Sequence, residues 1–455
     1  MASRADSLGL NLNLAKFGEA TELKNRLWFT LGALVVFRLL SFVPLPGIDP
    51  VIMAQAYQSR AAGGVLDLFN TFSGGSLERA SIIALGVMPY ITASIVVQLA
   101  AALSPALAAL KKEGESGRKK LNQYTRYGTV ILTIVQGYVV ATQLQTPVDA
   151  GAITPVINPG MLFVGTAVIT LVGGTLFLMW LGEQITSRGI GNGVSLIIMA
   201  GIVASMPQTL AQLFEKGRTG DMGSLLIVAL LVGAFGVIWA ISYMERAQRR
   251  VLVQYPKRAT AQGMAGQERS HLPLKVNTSG VIPPIFASSL LLMPLTITQF
   301  LGQNVNEETL WGRTLLMLNQ WFAHGQPLYM SLYALGIIFF AFFYVSVVFN
   351  PEETADNLKR QNGFIPGYRP GKATADYLDY VLTRITVIGA FYLALICLIP
   401  EQVTASTGVG LALGGTSLLI LVNVTIDTVT QIQGHLLAHQ YQDLIKKAKL
   451  KGRMR

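Results

Sequence analysis

Long apolar stretches alternate with short polar segments along most of the chain. A helix needs about 20 apolar residues to cross the roughly 30 Å of hydrocarbon in a bilayer. Windows of suitable length occur ten times, at residues 27–43, 80–103, 128–146, 161–182, 194–213, 224–244, 278–301, 327–349, 385–400 and 411–434. The pattern therefore predicts an all-α polytopic membrane protein with ten transmembrane helices, of which 385–400 is the shortest.

The polar segments between these windows set the orientation of the chain. The segment Lys111 to Lys120, KKEGESGRKK, is too polar to enter hydrocarbon and is predicted to be a cytoplasmic loop. With the N-terminus in the cytoplasm, 29 of the 35 Lys and Arg residues fall in cytoplasmic segments and five fall on the opposite side. The Lys and Arg bias of short loops decides orientation, so both termini are expected in the cytoplasm.

This order of spans predicts a division into four parts. They are a cytoplasmic N-terminal segment (1–26), a first half with spans 1 to 5 (27–214), a second half with spans 6 to 10 (215–434) and a cytoplasmic C-terminal tail (435–455). The second half carries two long cytoplasmic loops, 245–275 and 350–384. Their basic residues are expected to attract anionic lipids.

Composition agrees with the hydropathy pattern. Hydrophobic residues make up 51% of the chain and charged residues only 13%, which is typical of a membrane protein and not of a soluble one. The net charge of +11 follows from the basic cytoplasmic segments, so nucleic acid is not needed to explain it. The single cysteine, Cys397, excludes a disulfide framework and a cysteine metal site.

Signatures of enzymes are missing from the sequence. There is no GxxxxGK[ST] phosphate-binding loop and no HExxH zinc motif. His435 and His439 have the spacing of a metal site, but without a nearby carboxylate-rich helix they indicate a solvated helix face. We therefore expect no enzymatic activity, no metal and no cofactor, so that energy comes from a partner or from an ion gradient.

Two charged residues lie inside the predicted spans, Arg38 and Asp427. Ionisable groups at membrane depth usually mark a transport pathway or a buried pair. One interpretation is a secondary transporter in which both charges couple transport to an ion. The other, which we favour, is structural: Arg38 reaches the interface or bonds neighbouring carbonyls, and Asp427 caps or pairs within the bundle. An intramembrane hydrolase is excluded, because no nucleophile is accompanied by a base at membrane depth.

The segment Gly64 to Arg79, GVLDLFNTFSGGSLER, is amphipathic but too short to span a bilayer. Its apolar residues follow helical spacing for about ten residues before Ser73, Gly74 and Gly75. It is predicted to lie on the outer side, either flat on the bilayer or as a re-entrant element enclosed by protein. The periodicity alone favours the surface helix.

A series of distinctive runs carries a family resemblance. In chain order they are PLPGID (44–49), FNTFSGG (69–75), LGVMPYITASI (85–95), KKEGESGRKK (111–120), QYTRYG (123–128), MWLGEQITSRGIGNG (179–193), HLPLKVN (271–277), IPPIFASS (282–289), FNPEETADNLK (349–359), PGYRPG (366–371) and GGTSLLI (414–420). From about Leu23 to the C-terminus the chain resembles the SecY family of protein-translocation channel subunits.

The resemblance implies a more specific fold than the hydropathy pattern does. Two pseudo-symmetric halves of five spans, inverted relative to each other, would clasp an hourglass channel, with 64–79 as a short re-entrant plug helix. The plug residues would be Val65, Leu66, Leu68, Phe69, Asn70, Phe72, Ser73, Gly74 and Gly75. An apolar ring at the waist would consist of Val87, Ile91, Val194, Ile198, Ile285 and Ile420.

The resemblance also implies the function and the partners. The chain would conduct unfolded secretory polypeptides across the bacterial plasma (inner) membrane and release membrane segments sideways through a lateral gate lined by Thr92, Gln98, Gln136 and Asn277. SecA or the ribosome would dock on Arg249, Arg250, Lys257, Arg258 and Arg369. Further implied partners are SecE-like and SecG-like small membrane subunits, signal sequences, nascent polypeptides, SecDF and a YidC-type insertase.

Overall fold

A computed structural model describes residues 21–53, 70–145, 154–220, 222–255, 259–260, 263–264, 269–291, 321, 326–407 and 414–452. The described helices are, in chain order, α1 (Thr21–Leu40), α2 (Met88–Leu103), α3 (Pro105–Lys112), α4 (Glu115–Gln145), α5 (Met161–Arg188), α6 (Gly193–Thr219), α7 (Ser224–Arg246), α8 (Ile282–Leu291), α9 (Pro327–Val348), α10 (Pro351–Arg360), α11 (Lys372–Thr407) and α12 (Gly415–Gly452).

The helices follow the predicted windows. Within the described residues, α4, α5, α6, α7, α9, α11 and α12 are each long and apolar enough to cross a membrane. Helices α2 and α8 are apolar but shorter. Helix α1 has 20 residues and carries the basic residues Lys24, Arg26 and Arg38. Each of the ten windows thus contains a described helix, while the count of ten spans stays a prediction.

Several predicted loops are helical instead. Most of the segment KKEGESGRKK belongs to helices, because α3 ends at Lys112 and α4 begins at Glu115, with Gly114 (φ +77°) in the turn between them. Helix α11 begins 13 residues before the predicted window at 385, and α12 continues into the predicted tail. Hydropathy predicts where a helix leaves the hydrocarbon of the bilayer. The helix can continue beyond that point in polar residues that favour helix formation.

In the second window, residues 80–103, the predicted helix is longer than the observed one. The chain is predicted to be helical from residue 80, but residues 82–87 form turns and α2 begins only at Met88. Pro89 at the start of the helix fixes the position, because proline fits the first turn and disfavours helix before it. Gly86, at φ +57°, allows the turn that precedes it.

One large apolar cluster joins the two halves of the chain. Its buried side chains come from α1, α2, α4, α5 and α6 of the first half and from α7, α8, α9, α11 and α12 of the second. Helix α4 packs between α2 and α5, and α12 packs against α6, α7 and α11. Close approach relies on small residues: a Cβ on Gly415 of α12 would lie 2.1 Å from the Ile396 carbonyl oxygen of α11.

A second cluster lies outside the bundle. Strand β1 (Gln248–Gln254) pairs antiparallel with β4 (Arg269–Lys275), and the short strands β2 (Ala259–Thr260) and β3 (Gly263–Met264) pair with each other between them. The β1–β4 hairpin packs against α10 and the start of α11 through buried residues that include Val251, Val253, Leu274, Leu358, Ile365 and Leu378. We call this assembly of residues 248–254, 269–275 and 351–385 the loop unit.

Leu378 tests whether the loop unit is held by its apolar cluster. This side chain is fully buried, and truncation to alanine should destabilise the unit by about 2–5 kcal/mol. In the Leu378→Ala variant we expect trypsin to cleave faster at the Lys and Arg residues of the loop unit. Val387→Ala is the matched control, because Val387 lies on the same helix and is 53% exposed. Equal cleavage rates in both variants would contradict the packing described above.

Candidate functional site

The six residues predicted to form an apolar ring come from four different helices. Val87 and Ile91 lie at the start of α2, Val194 and Ile198 at the start of α6, Ile285 in α8 and Ile420 near the start of α12. Five of the six are buried members of the large apolar cluster, and Val194 is partly buried and packs against it. The cluster contains many other side chains, so the ring itself stays a prediction.

The predicted plug is described only in its second part. Asn70, Phe72, Ser73, Gly74 and Gly75 lie within the described residues, whereas Val65, Leu66, Leu68 and Phe69 lie outside them. Phe72 and Ser73 are buried, and Phe72 belongs to the same apolar cluster as the ring residues. The described end of the segment is therefore packed inside the protein, and the re-entrant plug as a whole stays a prediction.

Backbone packs directly on backbone where this segment meets α6. A Cβ on Gly201 would lie 2.7 Å from the Phe72 carbonyl oxygen, and a Cβ on Gly74 would lie 2.9 Å from the Gly201 Cα. No side chain fits at either position without movement. Gly201 is one helical turn after Ile198, so this contact places the segment beside a predicted ring residue.

Two arginines bind the carbonyl oxygen of Gly74. Arg38 Nη1 donates at 2.7 Å and Arg79 Nη2 donates at 3.0 Å. Arg79 Nε also donates to the Ser41 carbonyl at 3.3 Å. Both guanidinium groups lie over the Phe42 ring, with their Cζ atoms 4.8 and 4.5 Å from its centre. This is the structural role expected for Arg38, whereas sequence analysis had no reason to single out Arg79.

Two of the four predicted gate residues form hydrogen bonds within their own helix. Thr92 Oγ1 donates to the Met88 carbonyl at 3.1 Å, and Gln98 Nε2 donates to Ser94 Oγ at 3.1 Å, both within α2. Gln136 Oε1 on α4 is buried with no partner among the described residues. Within the same part of the chain, none of the four bonds to another of the four.

Asn277 differs from the other three because it bonds to a buried carboxylate. Its Nδ2 donates to Glu245 Oε1 at 2.5 Å, and its Oδ1 accepts from the Gly280 N–H at 3.0 Å. Glu245 is only 7% exposed and lies at the end of α7. Sequence analysis missed Glu245, although an acidic residue at the end of an apolar span is a signal that could have found it.

The predicted docking residues lie on the loop unit or outside the described part. Arg249 and Arg250 are exposed on β1, and Arg369 is exposed between α10 and α11, whereas Lys257 and Arg258 lie outside the described residues. The two loops are joined by backbone bonds: the Gln254 N–H and the Phe364 N–H each donate to the other's carbonyl at 2.9 Å. The loop unit therefore presents basic residues from both loops on one packed body.

Ion pairs and metal sites are scarce in the described part of the chain. The ion pairs found there are Arg26 with Glu22, at 3.1 Å, and Arg126 with Glu183, at 2.6 Å, which joins α4 to α5. The described residues contain no group of three or more His, Cys, Asp or Glu side chains that could hold a metal ion. Cys397 is buried as a free thiol.

Comparison with known proteins decides the family. The family model for SecY matches residues 81–429. The Protein translocase subunit SecY of Vibrio cholerae is 52% identical over 432 residues, covering 95% of this chain and 96% of that protein. The chain belongs to the SecY family. The family resemblance is thereby confirmed, and the relatives are named as subunits of a protein translocase.

Solved structures agree with the fold. One, of a SecY protein whose plug domain stabilises the closed state of the translocation channel and maintains a membrane seal, matches with a TM-score of 0.62 and 18% identity, covering 91% of this chain and 92% of that one. Sec61 from the canine ribosome–channel complex of the endoplasmic reticulum matches at 0.57 and 15%, with the same coverage. The all-α polytopic membrane fold of SecY channels is thus confirmed.

Gly201 offers a test of the packing between α6 and the 70–79 segment. In Gly201→Ala the added methyl would overlap the Phe72 carbonyl, so the segment must shift. In a chain with Cys397→Ser and Ser73→Cys, the introduced thiol should react slowly with a maleimide because Ser73 is 3% exposed. Adding Gly201→Ala should raise this rate by about ten-fold if the shift lowers the free energy of local opening by roughly 1.4 kcal/mol.

The matched control is Gly233→Ala, because a Cβ at Gly233 on α7 would meet nothing within 4 Å. It should leave the labelling rate of the introduced thiol unchanged. Slow labelling in the Gly201→Ala variant as well would show that the two backbones are not in contact.

Proposed function

We propose that the chain forms the pore of a bacterial Sec translocon, conducting unfolded secretory polypeptides across the plasma membrane. The supporting observation is a convergence: Ile91, Ile198, Ile285 and Ile420, from four helices, are buried in one apolar cluster together with Phe72 of the predicted plug. An apolar constriction resists water and ions by dewetting. Aliphatic side chains can also fit around an arriving chain of any sequence.

The 70–79 segment would seal the resting pore. Its backbone packs on Gly201, and its Gly74 carbonyl accepts hydrogen bonds from Arg38 and Arg79. Hydrogen bonds to charged groups contribute about 1.5–3 kcal/mol each. Such bonds hold the segment in place at rest, yet an arriving polypeptide that supplies its own contacts can displace it.

Lateral release of membrane segments would use the seam between spans 2 and 3 on one side and spans 7 and 8 on the other. The described side chains at this seam do not bond across it, since Thr92 and Gln98 bond within α2. Gln136 Oε1 is a buried acceptor without a described partner, and such a group costs about 1–3 kcal/mol. A weakly bonded seam suits opening by an apolar guest helix that gains by entering lipid.

Energy would come from partners docked on the loop unit. The exposed guanidinium groups of Arg249, Arg250 and Arg369 suit carboxylate and phosphate groups, which arginine binds bidentately. This supports docking of SecA or of the ribosome, whose RNA is rich in phosphate. SecE-like and SecG-like subunits, SecDF, a YidC-type insertase and anionic lipids belong to the same proposal on the basis of the family.

The secondary transporter is the second candidate, and its two charges are not paired with each other. Arg38 is bound to the Gly74 carbonyl, and Asp427 is exposed on α12. A relay that moved ions between these two residues would require an interaction between their side chains. The bond of Arg38 to the Gly74 carbonyl favours its structural role over ion coupling, whereas the predicted role of Asp427 within the bundle stays a prediction.

A photo-crosslinking residue at Ile285 tests the pore. With a stalled secretory precursor, SecA and ATP, we expect precursor adducts at position 285 only when ATP is present. Trp239 on α7, which is 71% exposed, is the control position and should give none. Adducts at the loop unit without any at 285 would refute the assigned ring, and no adducts anywhere would favour the transporter.

Arg369 tests docking independently of the pore. Reversing its charge in Arg369→Glu should weaken SecA binding to reconstituted channels by about ten-fold or more, because like charges then face each other. Arg188→Glu is the control, since Arg188 ends α5 outside the loop unit. Equal affinities for the two variants, measured by titration at fixed salt, would contradict docking at Arg369.

A further inference from the structure

The base of the β1–β4 hairpin is also the start of helix α8. Strand β1 follows directly on α7, and strand β4 leads through Val276 and Asn277 into α8, which carries Ile285. The two chain segments meet at this base, where the Val276 N–H donates to the Ala247 carbonyl at 3.0 Å. A motion of the β1–β4 hairpin can therefore reach α8 directly through this junction.

The Asn277 amide organises the turn at this junction. Its Oδ1 accepts from the Gly280 N–H at 3.0 Å and from Ser279 Oγ at 3.1 Å, and its Nδ2 donates to the Gly280 carbonyl at 3.1 Å. The remaining Nδ2 hydrogen is directed to Glu245 Oε1. Glu245 thus adds the bond that ties this turn to the end of α7.

Neighbouring elements restrict the junction further. A Cβ on Gly389 of α11 would lie 2.6 Å from the Val276 carbonyl oxygen, so α11 lies directly behind the turn. Tyr392, one turn later on α11, is buried, and its hydroxyl has no hydrogen-bond partner among the described residues. The buried carboxylate of Glu245 accepts a hydrogen bond from Asn277. No described cation lies at ion-pair distance from this carboxylate.

We infer that Glu245 is a positioning residue that couples the loop unit to helix α8 through its bond to Asn277. A partner docked on the loop unit pulls on β1 and β4, and the Glu245–Asn277 bond makes α7, the turn and α8 respond together. Without this bond the hairpin can move while α8 stays in place. The inference rests on the proposed function, because it assigns the path by which docking reaches the predicted ring at Ile285.

The test separates coupling from docking. Full-length chain, reconstituted with its SecE-like and SecG-like subunits in vesicles, is titrated with SecA during ATP-driven import of a precursor. In Glu245→Ala we expect the maximal import rate to fall about 5- to 150-fold, the usual range of coupling between two sites. The SecA concentration for half-maximal import should stay within about two-fold, because the exposed arginines are untouched.

An exchange of the two polar groups controls for folding. Asn277→Asp alone places two carboxylates against each other and should lower import as Glu245→Ala does. Glu245→Gln alone keeps an acceptor oxygen and should retain most import. Combining Glu245→Gln with Asn277→Asp restores a donor and an acceptor with reversed roles but not the Nδ2 bond to the Gly280 carbonyl, so import should rise above that of Asn277→Asp alone.

Three outcomes overturn the inference. Unchanged import in Glu245→Ala removes the coupling, a parallel rise in the half-maximal SecA concentration makes Glu245 part of the docking surface, and import in Glu245→Gln as low as in Glu245→Ala removes the role of the bond. Failure of the proposed function looks different, because the unmodified chain would then import no precursor at any SecA concentration.

Discussion

The centre of this structure depends on one constraint: backbone polar groups that are removed from water must find partners. Residues 73–87 are not helical, although they lie against the apolar cluster, and an unpaired buried backbone group costs several kcal/mol. The Leu45 N–H donates to the Ala80 carbonyl at 2.8 Å, the Ile82 N–H donates to the Val43 carbonyl at 3.0 Å, and Gly74 has its two guanidinium partners. These bonds allow irregular chain to exist inside the bundle.

The short helix α2 follows from the same constraint. Because the chain is held in turns up to Val87, α2 begins at Met88, and its first turn is directed at the apolar cluster. The helices α6, α8 and α12 likewise bring residues near their first turns to this cluster. The predicted ring residues of this cluster therefore lie near helix beginnings, which are fixed by caps and turns, and these apolar side chains need no polar contacts of their own. Polar contacts hold the chain around the cluster in place, and apolar contacts fill the cluster itself.

Sequence analysis reached the fold because its main signal, the length of apolar windows, is a local property. Each window contains a described helix, and the SecY family was identified from motifs read in order. The errors have physical causes. Polar helix and polar loop look alike to hydropathy, which hid the start of α11 at Lys372, while Pro89 and Gly86 delayed α2. The contact of Gly201 with Gly74 and the bond of Glu245 to Asn277 join residues far apart in the chain, so no window could reveal them.

The backbone bonds between Gln254 and Phe364 have a consequence for how this chain can be recombined with its relatives. Loops in multi-pass proteins are often treated as interchangeable modules, each defined by the two helices that it connects. Here the hairpin and the following loop share one apolar interior, to which Val253 and Ile365 both contribute. A chimera that takes one of these loops from a relative and keeps the other would pack together two sets of apolar side chains that did not evolve together. The two loops should therefore be exchanged as a pair.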